Sequence, residues 1–201
     1  MKTHTLILGL VACFTGVAAH AQVLIRDFTV AGLDFTYVSW DGQVTQTLTG
    51  IEISGTATAS GGGGAGIAAL NLSGQDFLTA LVKTLPGNTV PSFNLLLSSP
   101  GNFVSGYSIG TAGIGTEYQS VSVSLLAPTF VGFGAAGPAD LANITGFQIQ
   151  GSFANADALA LGFARLEATS AVPEPASYAT LAAVGALAMT ACSRRRVRSA
   201  A

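Results

Sequence analysis

Hydrophobic and polar side chains alternate with a period of two along much of this chain. The alternation is clearest in the segments 51–58, 120–125, 147–153 and 159–163. Such alternation predicts antiparallel strands that bury one face and expose the other to water. Less regular patterns predict further strands at 23–30, 33–40, 67–72, 92–97 and 129–133.

The segments between these strands are rich in Gly, Asn and Pro, which favour turns. Only the segment 76–85 is compatible with a helix, and it contains enough β-forming residues to be a strand instead. Many short strands separated by turns are typical of β-sandwiches. We therefore expect an all-β domain, built as an antiparallel β-sandwich or jelly roll.

The dipeptide Asp41-Gly42 is the clearest turn signal, and it predicts a two-residue hairpin. The register of this hairpin would place Trp40 on the outer face among polar side chains. Val44 and Leu48 would lie on the opposite face, which we expect to belong to the core.

The residues 61–66 consist of five glycines and one alanine, and we expect a flexible loop there. A phosphate-binding loop would continue with Lys and then Ser or Thr at the start of a helix. This sequence contains neither residue at those positions, so phosphate binding is not expected.

The N-terminus has the three parts of a secretory signal peptide. Lys2 provides the positive charge, an apolar stretch follows, and Ala19-His20-Ala21 offers the small-x-small pattern that signal peptidase cleaves. Cleavage there would make Gln22 the first residue of the mature chain. As an alternative, the residues before Cys13 resemble a bacterial lipobox, in which case Cys13 would be lipidated.

The C-terminus carries a second set of signals. Pro173-Glu174-Pro175 precedes an apolar segment of 17 residues, 176–192, which as a helix would span roughly 25 Å. Because basic residues next to a membrane-spanning segment stay in the cytoplasm, the tail would lie on the cytoplasmic side of the inner membrane. The body of the protein would lie on the other side. The basic residues of the tail are Arg194, Arg195, Arg196 and Arg198.

The proline motif, the membrane-length segment and the basic tail together resemble the PEP-CTERM sorting signal of Gram-negative bacteria. The resemblance covers only residues 172–201. It implies recognition by exosortase, a membrane cysteine protease that cleaves near the motif, and delivery to the cell surface or exterior. We therefore divide the sequence into a signal peptide (1–21), an exported all-β domain (22–171) and a sorting signal (172–201) comprising the motif 173–175, a transmembrane helix 176–192 and a basic tail 193–201.

Composition narrows the function once both signals are set aside. Residues 22–171 contain three basic and nine acidic residues, a net charge of −6, which excludes nucleic-acid binding through a basic patch. The histidines and cysteines all lie in the signals, so the exported domain has no zinc site, disulfide or histidine-dependent triad. No cofactor is indicated. These residues are His4, His20, Cys13 and Cys192.

These observations predict a non-enzymatic cell-surface or extracellular-matrix protein that contacts exopolysaccharide. The candidate glycan contacts are Trp40 and Asp41 with Tyr37 or Tyr118, because an exposed aromatic ring packs on a sugar face and a flanking carboxylate binds hydroxyls. A burial of Trp40 in the core or at its rim is the alternative.

Three further alternatives stay open at this level. A glycosidase or lyase could use paired carboxylates, but the acidic residues are scattered along the chain. Calcium could bind at acidic turns such as Asp140 with Asn143. An uncleaved tail would leave the protein permanently anchored in the membrane.

Overall fold

The computed structural model describes residues 22–32, 43–57, 62–151 and 157–171. Within these ranges the chain forms eleven β-strands and no helix. The strands are β1 (Val23–Asp27), β2 (Gln43–Thr47), β3 (Gly50–Ala57), β4 (Gly62–Leu70), β5 (Phe77–Thr84), β6 (Ser92–Ser99), β7 (Phe103–Gly110), β8 (Gln119–Ser124), β9 (Phe130–Val131), β10 (Ile144–Gly151) and β11 (Asp157–Thr169).

The strands form two antiparallel sheets. The six-stranded sheet has the order β2-β3-β11-β5-β8, with β1 paired to β11 as well. The five-stranded sheet has the order β4-β10-β6-β7-β9. Strands that are neighbours in one sheet are mostly distant in sequence, which is the connectivity of a jelly roll rather than of a simple meander.

The core lies between the two sheets and consists of side chains at alternate positions. Phe93, Leu95 and Leu97 of β6 all point into it, and Phe147 of β10 does the same. Phe93 meets Phe163 of the other sheet edge-to-face, with 5.4 Å between ring centroids. Each such fully buried side chain stabilises the fold by about 1.5–3 kcal/mol relative to an exposed one.

The prediction of an all-β sandwich is confirmed, and several strands lie where the alternation placed them. The segments 51–58, 120–125 and 92–97 correspond to β3, β8 and β6. The segment 76–85 is a strand and not a helix, since β5 covers most of it. The predicted strand 129–133 is much shorter, because only Phe130 and Val131 pair with β7.

The prediction of a loop at 61–66 is wrong for the residues that are described, because β4 begins at Gly62. A Cβ at Gly64 would overlap the carbonyl oxygen of Phe147 on the neighbouring strand. A Cβ at Gly62 would overlap the side chain of Gln150. The glycines therefore permit a close approach of β4 to β10, and they do not confer flexibility.

The expected core position of Leu48 is also wrong. Leu48 is 96% exposed because it lies in the turn between β2 and β3, whereas Val44 packs against the core as expected. The remainder of the predicted hairpin, including the strand 33–40 and the turn at Asp41-Gly42, lies outside the described residues.

Contacts between residues divide the chain into two units, 1–170 and 171–201, and the strands belong to the first. The signal peptide 1–21 and the sorting signal 172–201 lie outside the described residues. In the part of the chain that is described, no helix has the length and apolar character needed to cross a membrane.

Candidate functional site

Charged side chains are segregated between the two sheets. The strands of the five-stranded sheet contain no Asp, Glu, Lys or Arg. The charged residues located in strands all belong to the six-stranded sheet. They are Arg26, Asp27, Glu52, Lys83, Asp157, Arg165 and Glu167. The two outer surfaces of the sandwich therefore have different chemistry.

The outer surface of the five-stranded sheet carries amides and hydroxyls around Leu96, which lies on the central strand β6. These side chains alternate with core residues on the same strands, so they point away from the sandwich interior. The register sets Gln150 of β10 opposite Asn94 of β6 and Asn94 opposite Ser108 of β7. We call this surface the polar face and define it by Asn94, Ser98, Ser108, Gln148 and Gln150.

The polar face holds hydrogen-bonding groups that the fold leaves unused. Asn94 is 7% exposed, and its side-chain amide makes no hydrogen bond with any described residue. It does not belong to the fully buried groups without a partner, so the amide reaches solvent. The hydroxyls of Ser98 and Ser108 likewise have no partner in the described ranges. Among the described residues, the side chains of the polar face form one hydrogen bond, from Nε2 of Gln150 to Oε1 of Gln148, at 3.2 Å. Because these groups reach solvent and no described residue uses them, they are available to a ligand.

Glycines of β4 shape the polar face, because they leave space above β4 for side chains of the neighbouring strand β10. The methylene groups of Gln148 and Gln150 occupy the space that a side chain at Gly64 or Gly62 would fill. An open depression of about 210 Å³ results at one end. It is lined chiefly by Gly64, Gly66, Ser98, Thr145, Gly146 and Gln148. Across β10, β6 and β7 the polar face is about 10 Å wide at the usual strand spacing.

Aromatic and aliphatic side chains border the polar face at the β9 edge. The ring of Phe130 lies over Gly106, where a Cβ would overlap it, and Gly106 is the direct partner of Leu96 in β6. Phe133, which follows β9, is fully exposed, whereas Val131 pairs with Ser105 and so lies on the opposite side of the sheet. We call Phe130 and Phe133 the apolar rim. The site thus combines hydrogen-bonding groups with apolar surface.

The outer surface of the six-stranded sheet differs because its polar groups pair with one another. Lys83 Nζ lies 3.0 Å from Glu52 Oε1, and this hydrogen bond raises the pKa of Lys83 above its ordinary value. The hydroxyls of Thr79 and Ser122 lie 2.9 Å apart. Glu167 is paired as well, since it accepts a hydrogen bond from the side chain of Gln22 and lies 3.5 Å from Arg165. Several polar groups of this surface thus pair with one another, while Arg26 Nε and the Tyr118 hydroxyl have no hydrogen-bond partner among the described residues.

Tyr118, a candidate glycan contact, lies on this second surface and not on the polar face. The Lys83 ammonium is 4.8 Å from the centroid of its ring. Its hydroxyl is buried close to Gly50 and has no hydrogen-bond partner among the described residues. The other candidate contacts, Trp40, Asp41 and Tyr37, lie outside the described residues.

Most residues predicted to direct signal cleavage and sorting also lie outside the described residues. Gln22, the predicted first residue of the mature chain, is exposed. The remaining predicted positions cannot be located relative to the sandwich because they fall in 1–21 and 172–201. They are Ala19 and Ala21 for signal cleavage, and Pro173, Glu174, Pro175, Arg194, Arg195, Arg196 and Arg198 for sorting.

The acidic turn at Asp140 is already occupied by hydrogen bonds of its own backbone. Asp140 Oδ1 accepts a hydrogen bond from the backbone N–H of Ala142 at 3.0 Å, and the Asp140 carbonyl accepts one from Asn143. This is an Asx turn, which accounts for the residue types without an ion. Across 22–32, 43–57, 62–151 and 157–171, no three His, Cys, Asp or Glu side chains cluster so as to hold a metal.

Comparison with solved structures gives the class of fold. The family 11 carbohydrate-binding module from Clostridium thermocellum, in complex with a β-1,3-1,4-mixed-linked tetrasaccharide, matches with a TM-score of 0.53 and 15% identity. That match covers 76% of this chain and 98% of the module. An agarase matches with a TM-score of 0.55 and 12% identity, over 75% of this chain and 25% of the enzyme.

A second enzyme, an exo-β-agarase, matches with a TM-score of 0.54 and 13% identity over 75% of this chain and 25% of its own. No model of a protein family matches the sequence, and no curated protein matches it significantly. At these identities the likeness establishes the fold alone. The described domain is an antiparallel two-sheet sandwich like the jelly roll of the carbohydrate-binding module.

The sequence identified only part of the polar face. Gln148 and Gln150 were visible as the polar positions of an alternating strand, but nothing marked them as more than a wet surface. Asn94, Ser98 and Ser108 were not singled out. The available signal was the absence of charged residues from both 92–110 and 144–151, which becomes meaningful once these segments are known to be neighbours.

Proposed function

We propose that this protein is an exported, non-enzymatic component of the cell surface or extracellular matrix, and that it contacts exopolysaccharide through the polar face. The observation that carries the proposal is the set of unpaired amides and hydroxyls on that face, above all Asn94, which is 7% exposed and without a hydrogen bond in the described part of the chain. A ligand can form hydrogen bonds with these free groups in place of water.

A polysaccharide fits both parts of the site. Its hydroxyls can donate and accept hydrogen bonds, as the side chains of Asn94 and Gln148 can. The C–H surfaces of sugar rings can pack against the exposed ring of Phe133 and against Phe130. Apolar surface combined with a few fixed polar groups is the usual composition of a small-ligand site.

The similarity of the fold to a carbohydrate-binding module supports this proposal, and it does so at the level of architecture. The similarity to two agarases suggests a glycosidase as the alternative function. Glycoside hydrolysis ordinarily requires two carboxylates on either side of the scissile bond. The strands beneath the polar face contain no carboxylate, which favours binding over catalysis at this surface.

Binding is tested by titrating the full chain with a panel of polysaccharides in isothermal calorimetry. We expect saturable binding to at least one of them, without release of reducing sugar. Hydrolysis of any bound glycan would support the enzyme alternative. In the same titrations, the fluorescence of Trp40, the single tryptophan, reports on the glycan contacts predicted from the sequence. A constant emission during saturation would remove Trp40 from the site.

The route of export is a separate part of the proposal. We propose cleavage by signal peptidase before Gln22 and processing by exosortase near Pro173-Glu174-Pro175, with an inner-membrane intermediate between the two steps. Mass spectrometry of the termini in culture supernatant and membrane fractions tests this. A released form that starts at Gln22 and ends near Pro175 is expected. A membrane form that keeps its arginine tail would instead indicate a permanent anchor, and an N-terminal lipid on Cys13 would indicate lipoprotein processing.

A further inference from the structure

We infer that the polysaccharide bound by the polar face is uncharged. This inference rests on the proposed function and specifies the class of ligand. Its starting point is the segregation of charge described above. All five strands of the sheet that carries the polar face lack ionisable side chains, apart from Tyr107, which points into the core.

An acidic polysaccharide would find no cation on this surface. Carboxylates are recognised in proteins mainly by Arg and Lys, which form short charge-assisted hydrogen bonds. The three basic residues of the exported domain, Arg26, Lys83 and Arg165, all lie in strands of the six-stranded sheet. Two of them are also engaged, Lys83 with Glu52 and Arg165 with Glu167.

The net charge of the whole domain also disfavours an acidic polysaccharide. Residues 22–171 carry a net charge of −6, so an acidic chain is repelled before it reaches the surface. The repulsion is not offset locally by any lysine or arginine on the polar face. An uncharged chain experiences neither the repulsion nor the cost of placing a charge over a surface without a counter-ion.

The unused groups of the polar face also match hydroxyls better than carboxylates. The free side-chain oxygens of Asn94 and Gln150 are acceptors and need a donor from the ligand. A sugar hydroxyl provides one, whereas an ionised carboxylate is an acceptor only. The amide nitrogens of Asn94 and Gln148 can then donate to neighbouring hydroxyls, so a neutral chain satisfies both kinds of group.

The first test compares neutral and acidic polysaccharides on the full chain. Mixed-linkage β-glucan and agarose serve as neutral probes, and alginate and polygalacturonate as acidic ones. We expect binding to a neutral probe, with an affinity that changes by less than about twofold between low and high salt, because no ion pair is formed. Binding of an acidic probe in preference would overturn the inference and leave the proposed function intact. Binding to no polysaccharide would overturn the proposed function itself.

The second test introduces a lysine at one position on the polar face or at one position on the opposite sheet. Ser108 on the polar face and Ser120 on the opposite sheet are both exposed serines in strands, without side-chain hydrogen bonds to described residues. We expect Ser108→Lys to gain binding to alginate that falls at least about tenfold from low to high salt. We expect Ser120→Lys to gain none. Equal gains in the two variants would show that a lysine on either sheet is enough for alginate to bind. The absence of cations from the polar face would then not select the ligand, and the inference would be overturned.

Discussion

The side-chain amide of Gln150 donates a 3.2 Å hydrogen bond to the side-chain oxygen of Gln148, two residues away on the same strand. The bond fixes both side chains and leaves different groups free on each. Gln148 keeps its NH₂ group as a donor, and Gln150 keeps its oxygen as an acceptor. Two residues of one type thus present complementary groups to a ligand, held in place before the ligand arrives.

Replacing Gln148 tests the contribution of this pair to binding. We expect Gln148→Ala to weaken binding of the neutral polysaccharide about fivefold or more, because one hydrogen bond contributes about 1 kcal/mol and Gln150 also loses its support. Calorimetric titration measures the change. Gln43→Ala is the matched control, since Gln43 is an exposed glutamine in strand β2 of the other sheet. An equal loss in both variants would argue against the polar face.

The glycines of β4 are expected to be structural. At Gly64, a Cβ would overlap the carbonyl oxygen of Phe147, which is backbone and cannot rotate away. We expect Gly64→Ala to lower the free energy of unfolding by about 1–3 kcal/mol, as overpacking does elsewhere. At Gly74 nothing lies within 4 Å of the corresponding position, so Gly74→Ala should have little effect. Urea denaturation compares the two, and similar stabilities would refute the close-approach explanation.

Two tyrosines offer a contrast between a satisfied and an unsatisfied hydroxyl. The hydroxyl of Tyr107 donates a 3.1 Å hydrogen bond to the carbonyl of Leu125, and burial raises its pKa. The hydroxyl of Tyr118 is buried and forms no hydrogen bond within the described part of the chain. We expect Tyr107→Phe to cost about 1 kcal/mol of unfolding free energy and Tyr118→Phe to cost nothing or to stabilise slightly. Thermal unfolding measures both, and a larger loss for Tyr118→Phe would contradict the arrangement.

The turn after β1 makes stability depend on pH in the acid range. Thr29 donates two hydrogen bonds to Asp27 Oδ1, one from its hydroxyl at 2.6 Å and one from its backbone N–H at 2.9 Å. These bonds, the hydroxyl first, hold the pKa of Asp27 below its ordinary value of 3.8. A carboxyl with a lowered pKa in the folded state stabilises the fold above 3.8, and this stabilisation is lost as the pH falls through the folded-state pKa.

Thr29→Ala removes the hydroxyl that lowers this pKa most. The variant should therefore be less stable than the natural protein at neutral pH, and the difference should shrink as the pH falls below 3.8. Urea unfolding at neutral pH and at a series of acidic pH values provides the measurement. A difference that stays constant over this range would show that the Asp27 carboxylate is not the group responsible.

Much of the sandwich was predictable because many strands have one apolar face. Val121 and Val123 alternate with serines, and Phe147 and Ile149 alternate with glutamines, so the buried side of each strand was evident. The first half of strand β4, residues 62–66, was missed because glycines carry no side chain and so cannot alternate, whereas its second half falls in the predicted strand 67–72. Strand β7 was not predicted either, since Gly106 and Gly110 interrupt its pattern.

The polar face could not be predicted in the same way, because it depends on which strands are neighbours. Asn94 and Gln150 are 56 positions apart in sequence and become direct partners only through the pairing of β6 with β10. No local pattern encodes that pairing. The lack of charged residues in these strands was visible in the sequence. That the uncharged strands form one sheet follows from the sheet order alone.

The location of the ligand is tested most directly by a residue-resolved NMR titration of the full chain with mixed-linkage β-glucan oligosaccharide. The predicted result is that the amide signals of Asn94, Gln148 and Gln150 shift in proportion to occupancy, together with those of the apolar rim. Signals from Glu52 and Lys83, on the opposite sheet, should stay unchanged. Shifts confined to the six-stranded sheet, with the polar face unaffected at saturation, would contradict the account.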